Sequence, residues 1–325
     1  MKKFAVLTAL IAALAGCAAA SGATNPSSSG TIEKPNITVA VVPAVDSAGF
    51  FIALYQGLFK QQGLNVAFEP AVSSETVIAQ QVKGAVDISG GNYVSYLQAQ
   101  QSHTADLEIF AEGSVMLPGT QALYTMPASK IRSLQDLEGK TIGINAPNNI
   151  LYLLAASVLA DHDIPVNTVH FKSIPLPAMA AALKSGQVDA AVLPEPFASE
   201  AQQQFGVITL ADLDQGATTE FPIQGYVVTR QWAALYPHTL AAFNKALQEG
   251  QEIADTSRHS VEAAMQDLPM KPVPLGVSPL TSAVMSVDNY PVGAVNPIRL
   301  QHVADVMTEF IQFPSFDVRS MIGNP

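Results

Sequence analysis

The sequence predicts an α/β fold of two lobes, each a doubly wound sheet, joined by a hinge of two strands. From residue 37 onwards, short apolar runs rich in β-branched residues alternate with longer segments of helical periodicity. This series occurs twice, about 100 residues apart, and alternating strands and helices favour parallel pairing with right-handed crossovers. The length agrees with two lobes, because roughly 290 residues beyond an N-terminal tether are more than one hydrophobic core usually holds.

Both series predict strands and helices in regular alternation. In the first series the strands are expected at 37–42, 64–68, 86–89 and 107–111, and the helices at 50–62, 75–83 and 92–101. In the second series the strands are expected at 141–144, 169–172 and 190–193, the helices at 149–161 and 179–184, and a last helix and strand end near residue 210.

Two β-like stretches between these series, at 121–125 and 224–229, are expected to cross from one lobe to the other. The first lobe would then comprise 36–123 and 227–325, and the second lobe 124–226. The C-terminal part is mainly helical, at 231–267 with an interruption at Pro237 and at 297–313. Because the chain returns to the first lobe before these helices, we expect them to pack there.

The first residues indicate an export signal. Lysines at positions 2 and 3 are followed by an uncharged apolar run over 5–15, which Leu14-Ala15-Gly16-Cys17 closes. A membrane-spanning helix takes about 20 residues, so the run predicts a cleaved signal peptide over 1–16. The tetrapeptide resembles the lipobox of bacterial lipoproteins, which implies that Cys17 is lipid-modified and becomes the first residue. An ordinary secretory signal with a chance cysteine is the alternative.

The segment 17–35 is predicted to be the lipidated cysteine and a flexible tether. Residues 18–34 are rich in Ala, Ser, Gly and Thr, a composition that buries too little apolar surface to order itself. Cys17 is the only cysteine, which excludes a disulfide, a thiolate metal cluster and a cysteine nucleophile in the folded part. The predicted location is the extracytoplasmic face of the cell membrane, where lipid would hold the protein.

Composition and charge exclude several classes of function. Without the two lysines of the signal, 14 of the 16 basic residues face 27 acidic ones, and such a surface repels nucleic acid. None of the six histidines has HxxxH or HxH spacing, and a solvated helix end explains His162 between Asp161 and Asp163. GxSxG, P-loop and zinc-hydrolase motifs do not occur in the sequence. We therefore predict neither a metal nor a cofactor.

Five segments in order carry a resemblance to a known family. They are GFFIALYQGLFKQQGLNV from residue 49, QVKGAVDISGGNY from 81, SLQDLEGKTIGI from 133, LKSGQVDAAVLPEPF from 183 and DNYPVGAVNPIRLQHVADVMTEF from 288. The chain resembles, over about 36–312, the solute-binding proteins of the sulfonate, nitrate, taurine and thiamine-pyrimidine class, the NMT1/THI5-like or SsuA-like family. The resemblance rests on five motifs that occur in the same order.

This resemblance implies a type II-like periplasmic-binding-protein fold and a protein that is not an enzyme. It implies a monomer that captures a small organic solute between its lobes and delivers it to an ABC permease. A ligand-sensing subunit of a membrane receptor is one alternative. An enzyme is another, because pyrimidine synthases and futalosine-pathway lyases share the fold. The export signal argues against an enzyme, and so does the lack of cysteine after Cys17, since the synthases carry a cysteine-rich motif.

In the first lobe, the candidate ligand contacts follow predicted strands, since ligands of open α/β sheets lie beyond the carboxyl ends of strands. Asp46 and Ser47 offer a carboxylate and a hydroxyl, although either would also serve as a helix cap. Phe50 is a candidate wall, with core packing as its alternative. At the next strand end we expect contacts from Gly91, Asn92 and Tyr93, where glycine allows close backbone approach and the tyrosine ring can cover a planar group.

In the second lobe, three asparagines and an acidic segment are the candidates. Amides at Asn145, Asn148 and Asn149 begin a long helix and suit an oxygen-rich group, with capping as the alternative. Glu195, between two prolines, would select N–H donors or a cation, or else serve lobe closure, and Phe197 would lie beside it. The predicted hinge adds two candidates for the floor of the cleft, Tyr124 and Tyr226, with core packing as the alternative.

The ligand class stays open between two kinds of solute. A sulfonate or nitrate-like anion would use helix ends and amides, whereas a pyrimidine or other heterocycle would use aromatic walls and an acidic group. Glu195 together with Tyr93 and Phe197 favours a heterocyclic or amine-bearing solute.

Overall fold

Two five-stranded mixed sheets with helices packed around them organise the protein. The structure is a computed structural model that describes residues 30–268 and 277–323. Contacts divide the chain into Met1–Gly30 and Thr31–Pro325, and every feature described below belongs to the second unit. The predicted signal peptide, Cys17 and most of the predicted tether lie outside the described residues.

Ten strands form the two sheets. In chain order they are β1 (Asn36–Val41), β2 (Asn65–Pro70), β3 (Ile88–Asn92), β4 (Leu107–Val115), β5 (Gln121–Thr125), β6 (Thr141–Ile144), β7 (His170–Ser173), β8 (Ala190–Pro194), β9 (Ile208–Asp212) and β10 (Pro222–Thr229). The first sheet has the order β2-β1-β3-β10-β4, and the second has the order β7-β6-β8-β5-β9. The two sheets therefore define two lobes of similar design, as the repeated sequence pattern predicted.

The described helices follow the predicted alternation closely. They are α1 (Ala48–Tyr55), α2 (Leu58–Gln61), α3 (Ser74–Val82), α4 (Tyr93–Gln101), α5 (Ile150–Asp161), α6 (Leu176–Lys184), α7 (Phe197–Phe205), α8 (Arg230–Leu235), α9 (Pro237–Thr256), α10 (Arg258–Gln266), α11 (Pro279–Val284) and α12 (Pro297–Phe310). Pro237 separates α8 from α9, because proline is accepted in the first turn of a helix but not in its interior.

One strand in each sheet runs against the others, and in both sheets it is a stretch that the sequence assigned to the hinge and not to the strand–helix series. β1 pairs in parallel with β2 and β3, and β6 pairs in parallel with β7 and β8. However, β10 lies antiparallel between β3 and β4, and β5 lies antiparallel between β8 and β9. Each of these two strands enters its sheet directly from the other lobe. It therefore runs in the opposite direction to the strands that follow one another through helical crossovers within that sheet.

The connections between the lobes lie just before the strands that the sequence assigned to this role. Residues 121–125 and 224–229 are paired within the two sheets, as β5 and as part of β10. The crossing segments are 116–120 and 213–221, which run side by side. The backbone N–H of Met116 donates to the carbonyl of Phe221 at 2.8 Å, so a hydrogen bond joins the two crossings.

The C-terminal helices pack on the first lobe only in part. α9 lies against α1 at a close approach, where a Cβ on Gly250 would come within 2.2 Å of the Gly49 carbonyl oxygen. In contrast, α12 contacts both α4 of the first lobe and α5 of the second, and α11 contacts α7 of the second lobe. The expectation that the predicted C-terminal helices pack on the first lobe is wrong for α12, since its apolar face meets both lobes, and α11 lies in a passage where no helix was predicted.

Glu33, which precedes β1 in the chain, binds the start of α9. The carboxylate of Glu33 accepts hydrogen bonds from the backbone N–H groups of His238 at 3.0 Å and Thr239 at 2.8 Å. Desolvation raises the pKa of Glu33, but these backbone hydrogen bonds outweigh it and lower the pKa to about 2. Glu33 thus supplies a negative charge where the helix leaves its first N–H groups without partners.

We expect Glu33→Gln to destabilise the protein near pH 7 by about 1 kcal/mol, because the uncharged amide is a weaker cap. A carboxyl group whose pKa is lowered by folding stabilises the folded protein at pH values above its pKa in the unfolded chain. This stabilisation is lost as the pH falls through the pKa of the folded state. The difference from wild type should therefore disappear near pH 2. Urea denaturation across this range measures it, with Glu309→Gln on the exposed side of α12 as control. A difference that persisted unchanged at pH 2 would contradict the assignment.

Candidate functional site: a cavity between the two sheets

A cavity of about 420 Å³, counting its opening to solvent, lies where the two sheets face each other. Both lobes contribute to its lining. Its polar side chains are Asp46, Ser74, Asn92 and Gln224 from the first lobe, and Gln121 and Asn145 from the second. Gly91 and apolar side chains such as Ile150 and Leu176 complete it.

The cavity lies at the edge where the strands expose their ends. Asp46 follows β1, Ser74 follows β2, and Asn145 follows β6, so each comes after the carboxyl end of a parallel strand. Gln121 and Gln224 instead stand at the beginning of β5 and β10. Because these two strands are antiparallel to their neighbours, their first residues meet the same edge.

Four of the predicted site residues line this cavity: Asp46, Gly91, Asn92 and Asn145. Asn92 caps α4, since its Oδ1 accepts from the Ser95 N–H at 2.8 Å, and its Nδ2 donates to Ser74 Oγ at 2.9 Å. A Cβ on Gly91 would lie 2.5 Å from Ser74 Oγ, so only glycine allows this approach. Asn145 accepts a hydrogen bond from the side chain of Asn149.

The structure places several predicted first-lobe contacts in the protein interior instead. Ser47 is buried, and its Oγ donates to the Val42 carbonyl at 2.9 Å and lies 3.0 Å from Nε2 of Gln224, behind the cavity. Phe50 packs against Phe51 in the core of the first lobe. Tyr93 is buried beneath β10, where a Cβ on Gly225 would lie 2.4 Å from its ring.

The remaining predicted tyrosines and three of the second-lobe candidates also lie outside the cavity lining. Tyr124 and Tyr226 are buried within their sheets, and Phe197 lies in the core. Asn149 caps α5 by accepting from the Tyr152 N–H at 3.3 Å. Asn148 is exposed, and its carbonyl accepts from Gln98 Nε2 at 2.9 Å, which joins the second lobe to the first.

Glu195 lies beside the cavity as part of a contact between the lobes. Its backbone carbonyl accepts from the Val45 N–H of the first lobe at 3.0 Å. Its carboxylate accepts from Ser199 Oγ at 2.8 Å and from the Ser286 N–H at 3.4 Å. Burial raises the pKa of Glu195, and these donors oppose the rise. Of the two roles considered from the sequence, this geometry favours lobe closure.

Asp46 in the cavity wall lies beside a second buried carboxyl group, that of Asp288. Asp288 is 4% exposed, and neither of its oxygens accepts a hydrogen bond within the described structure. Burial raises the pKa of both Asp288 and Asp46, and the charge of Asp46 raises that of Asp288 further. Because two adjacent buried carboxylates are costly to ionise together, ionisation of one of them opposes ionisation of the other.

Sequence reasoning missed four residues of this site: Ser74, Gln121, Gln224 and Asp288. Two of them had a usable signal, since Gln121 and Gln224 are polar positions inside otherwise apolar strand segments. Asp288 opens the DNY segment of the family resemblance but had no assigned place in space. Ser74 stands out by no local pattern, because a serine at a helix start is ordinary.

Metal coordination and membrane crossing have no candidates in the described ranges. Among residues 30–268 and 277–323, no group of three or more His, Cys, Asp or Glu side chains could hold a metal ion. The described helices are also all too short or too polar to pass through a bilayer.

The two facing sheets and their double crossing form the periplasmic binding protein fold, and solved structures share it. The alkanesulfonate-binding protein SsuA from Xanthomonas axonopodis pv. citri, bound to MOPS, superposes with a TM-score of 0.74 at 18% identity, covering 90% of this chain and 99% of that one. The nitrate-binding protein NrtA from Synechocystis PCC 6803 gives a TM-score of 0.73 at 16% identity, with 88% and 83% covered.

The model of the NMT1-like family matches residues 30–267, and the chain belongs to that family. The bicarbonate transport ATP-binding protein CmpC of Synechocystis is 27% identical over 256 residues, 71% of this chain and 37% of that protein. The nitrate import ATP-binding protein NrtC of the same organism is 26% identical over 259 residues, with the same coverage. The chain thus spans little more than a third of the length of these relatives.

We expect Asp288→Asn to stabilise the protein at neutral and higher pH. A carboxyl group whose pKa is raised by folding contributes stability below its unfolded value of 3.8, and this is lost as the pH rises through the folded value. The neutral amide avoids that loss, so the variant should match wild type near pH 4 and exceed it near pH 8 by about 1–3 kcal/mol. Thermal denaturation at both pH values measures this.

Asp305→Asn on the exposed side of α12 is the matched control for this measurement. It removes the same charge from a solvated position, so its difference from wild type should stay small at both pH values. If Asp288→Asn were no more stable than wild type near pH 8, ionisation of the buried carboxyl pair would not destabilise the folded protein, and the assignment would be wrong.

Proposed function

We propose that the protein is an extracytoplasmic solute-binding lipoprotein that captures a small organic solute between its lobes and delivers it to an ABC importer. The observation that carries this proposal is the polar cavity between two sheets that paired crossings connect. The sulfonate-binding and nitrate-binding proteins of the same fold support it, and so do the relatives named for bicarbonate transport and nitrate import.

Capture would proceed by rotation of the lobes about the crossings 116–120 and 213–221. In the closed arrangement the Val45 N–H contacts the Glu195 carbonyl, and Gln98 contacts the Asn148 carbonyl. A solute that touches both lobes gains contacts only when these approach each other, and this preference for the closed state is what drives closure. The closed form would then dock on the permease.

We also propose that the protein acts as a monomer held at the membrane by lipid on Cys17, and that it is not an enzyme. The lipobox-like tetrapeptide and the tether-like composition after it support the anchor. The structurally similar SsuA and NrtA are binding proteins, which supports the assignment to the binders of this fold.

Blocking the cavity should abolish solute binding without unfolding the protein. Asn145→Trp places a large ring in a partly exposed lining position. We expect the small-molecule fraction of yeast extract to raise the melting temperature of wild type and to leave that of the variant unchanged. Nitrate, bicarbonate, alkanesulfonates and pyrimidines are tested singly in the same way. Circular dichroism follows the melting.

Asn167→Trp is the control for that experiment, because Asn167 is exposed on the same lobe and does not line the cavity. It should keep the full shift. If Asn145→Trp kept the shift while the control behaved like wild type, the bound solute would lie elsewhere and the cavity would not be the capture site.

Replacing the cysteine tests the anchor separately. We expect Cys17→Ser to move the protein from the membrane fraction to the soluble extracytoplasmic fraction of expressing bacteria, since the lipid-bearing thiol is gone. Metabolic labelling with a palmitate analogue, followed by fractionation, measures both changes. Equal labelling of wild type and variant would contradict lipid attachment at this residue.

A further inference from the structure

The charge of the cavity lining is unbalanced. Asp46 contributes a carboxylate, whereas no Lys, Arg or His lines the cavity among the described residues. The carboxyl group of Asp46 makes no ion pair in the described structure, and its fully buried Oδ1 has no hydrogen-bond partner there. Asp288 adds no compensating charge, since it is itself a carboxyl group. The wall around Asp46 therefore offers a negative charge that no protein cation neutralises.

A second, independent feature of the same wall is an unpartnered amide. Gln121 is 1% exposed and lines the cavity from the second lobe, yet its side-chain oxygen has no hydrogen-bond partner in the described structure. Its backbone is held in place, because its carbonyl accepts from the Leu213 N–H at 3.1 Å within the crossing region. Buried amide oxygens without a donor are uncommon in folded proteins, which points to a partner that arrives with the solute.

The helix ends around the cavity offer little to compensate an anion. Asn92 and Asn149 already accept from the first-turn N–H groups of α4 and α5, at 2.8 and 3.3 Å. These caps place amide oxygens where a free anion would seek N–H donors. A nitrate or sulfonate in the cavity would also face the Asp46 carboxylate without an intervening cation, and like charges at short range repel strongly in a poorly solvated site.

We propose that the captured solute carries a protonated nitrogen, such as an ammonium, amidinium or guanidinium group, which binds between Asp46 of the first lobe and Gln121 of the second. This rests on the proposed function, since it names the class of solute for that site. A cation between the two side chains would contact both lobes at once and so favour closure. In this proposal Asp46, and not Glu195 as expected from the sequence, selects the charge of the solute.

The test uses the purified full-length protein and one source of solutes, the small-molecule fraction of yeast extract. The extract is passed at about pH 3 over a sulfonated resin, which retains compounds with a basic nitrogen and lets nitrate, alkanesulfonates and neutral compounds through. We expect the retained fraction to raise the melting temperature and the unretained fraction to leave it unchanged. Stabilisation by the unretained fraction alone would overturn the proposed charge and leave solute capture intact. No stabilisation by either fraction, or by the whole extract, would instead remove the basis for capture itself.

Asp46→Asn then tests the residue, since the amide keeps the shape and removes the charge. We expect the concentration of retained fraction that gives half the maximal shift to rise about tenfold or more, as for loss of one partner of a close charge pair. Asp305→Asn is the control and should leave it unchanged. An unaltered response of Asp46→Asn would overturn the role of this carboxylate.

Gln121→Met keeps the length of the side chain and removes the amide, so it provides a second variant that does not depend on how Asp46→Asn folds. It should weaken the response to the retained fraction by several-fold. Melting of each variant without extract establishes that it is folded. Full retention of the response in a folded Gln121→Met protein would exclude the amide from the site.

Discussion

The return of the chain from one lobe to the other is the constraint on which the rest of the structure depends. After β4 the chain leaves the first sheet, builds the second, and re-enters between β3 and β4 as β10. The two crossings are joined by the hydrogen bond from Met116 to Phe221, so neither lobe can rotate without bending both. The same insertion brings Gln121 and Gln224, which lie near the starts of antiparallel strands, to an edge otherwise made by parallel strand ends.

The alternation of short apolar runs and helical segments was enough to predict most elements, because buried strands and amphipathic helices leave strong local patterns. Residues 37–42, for example, form β1 within one residue of the prediction. Strand direction left no such pattern. An antiparallel strand buried on both faces, such as β10, has the same apolar composition as a parallel one. Contacts between residues far apart in sequence decide its place between β3 and β4. For the same reason the crossings lie before the stretches that the sequence assigned to them.

The candidate site could be predicted where a residue's place follows from the strand before it. Asp46, Asn92 and Asn145 each follow or end a parallel strand, so the rule for strand ends located them in the cavity. Aromatic residues were harder to place, because Phe50 begins a helix whose faces are almost all apolar, and spacing cannot tell which face meets the core. The structure also changes which acidic residue is available to a solute. The carboxylate of Glu195 accepts hydrogen bonds from Ser199 and Ser286, whereas Asp46 lacks a counter-ion.

The position of α12 has a consequence for how far the molecule can open. The Glu112 carboxylate on β4 pairs with Arg299 of α12, while the far side of this helix packs on α5 of the second lobe. His302 adds a hydrogen bond to the Ala217 carbonyl in one crossing. Wide separation of the lobes would wet apolar side chains such as Val303 that are dry at present. These contacts of α12 with both lobes therefore oppose a wide separation of the two sheets.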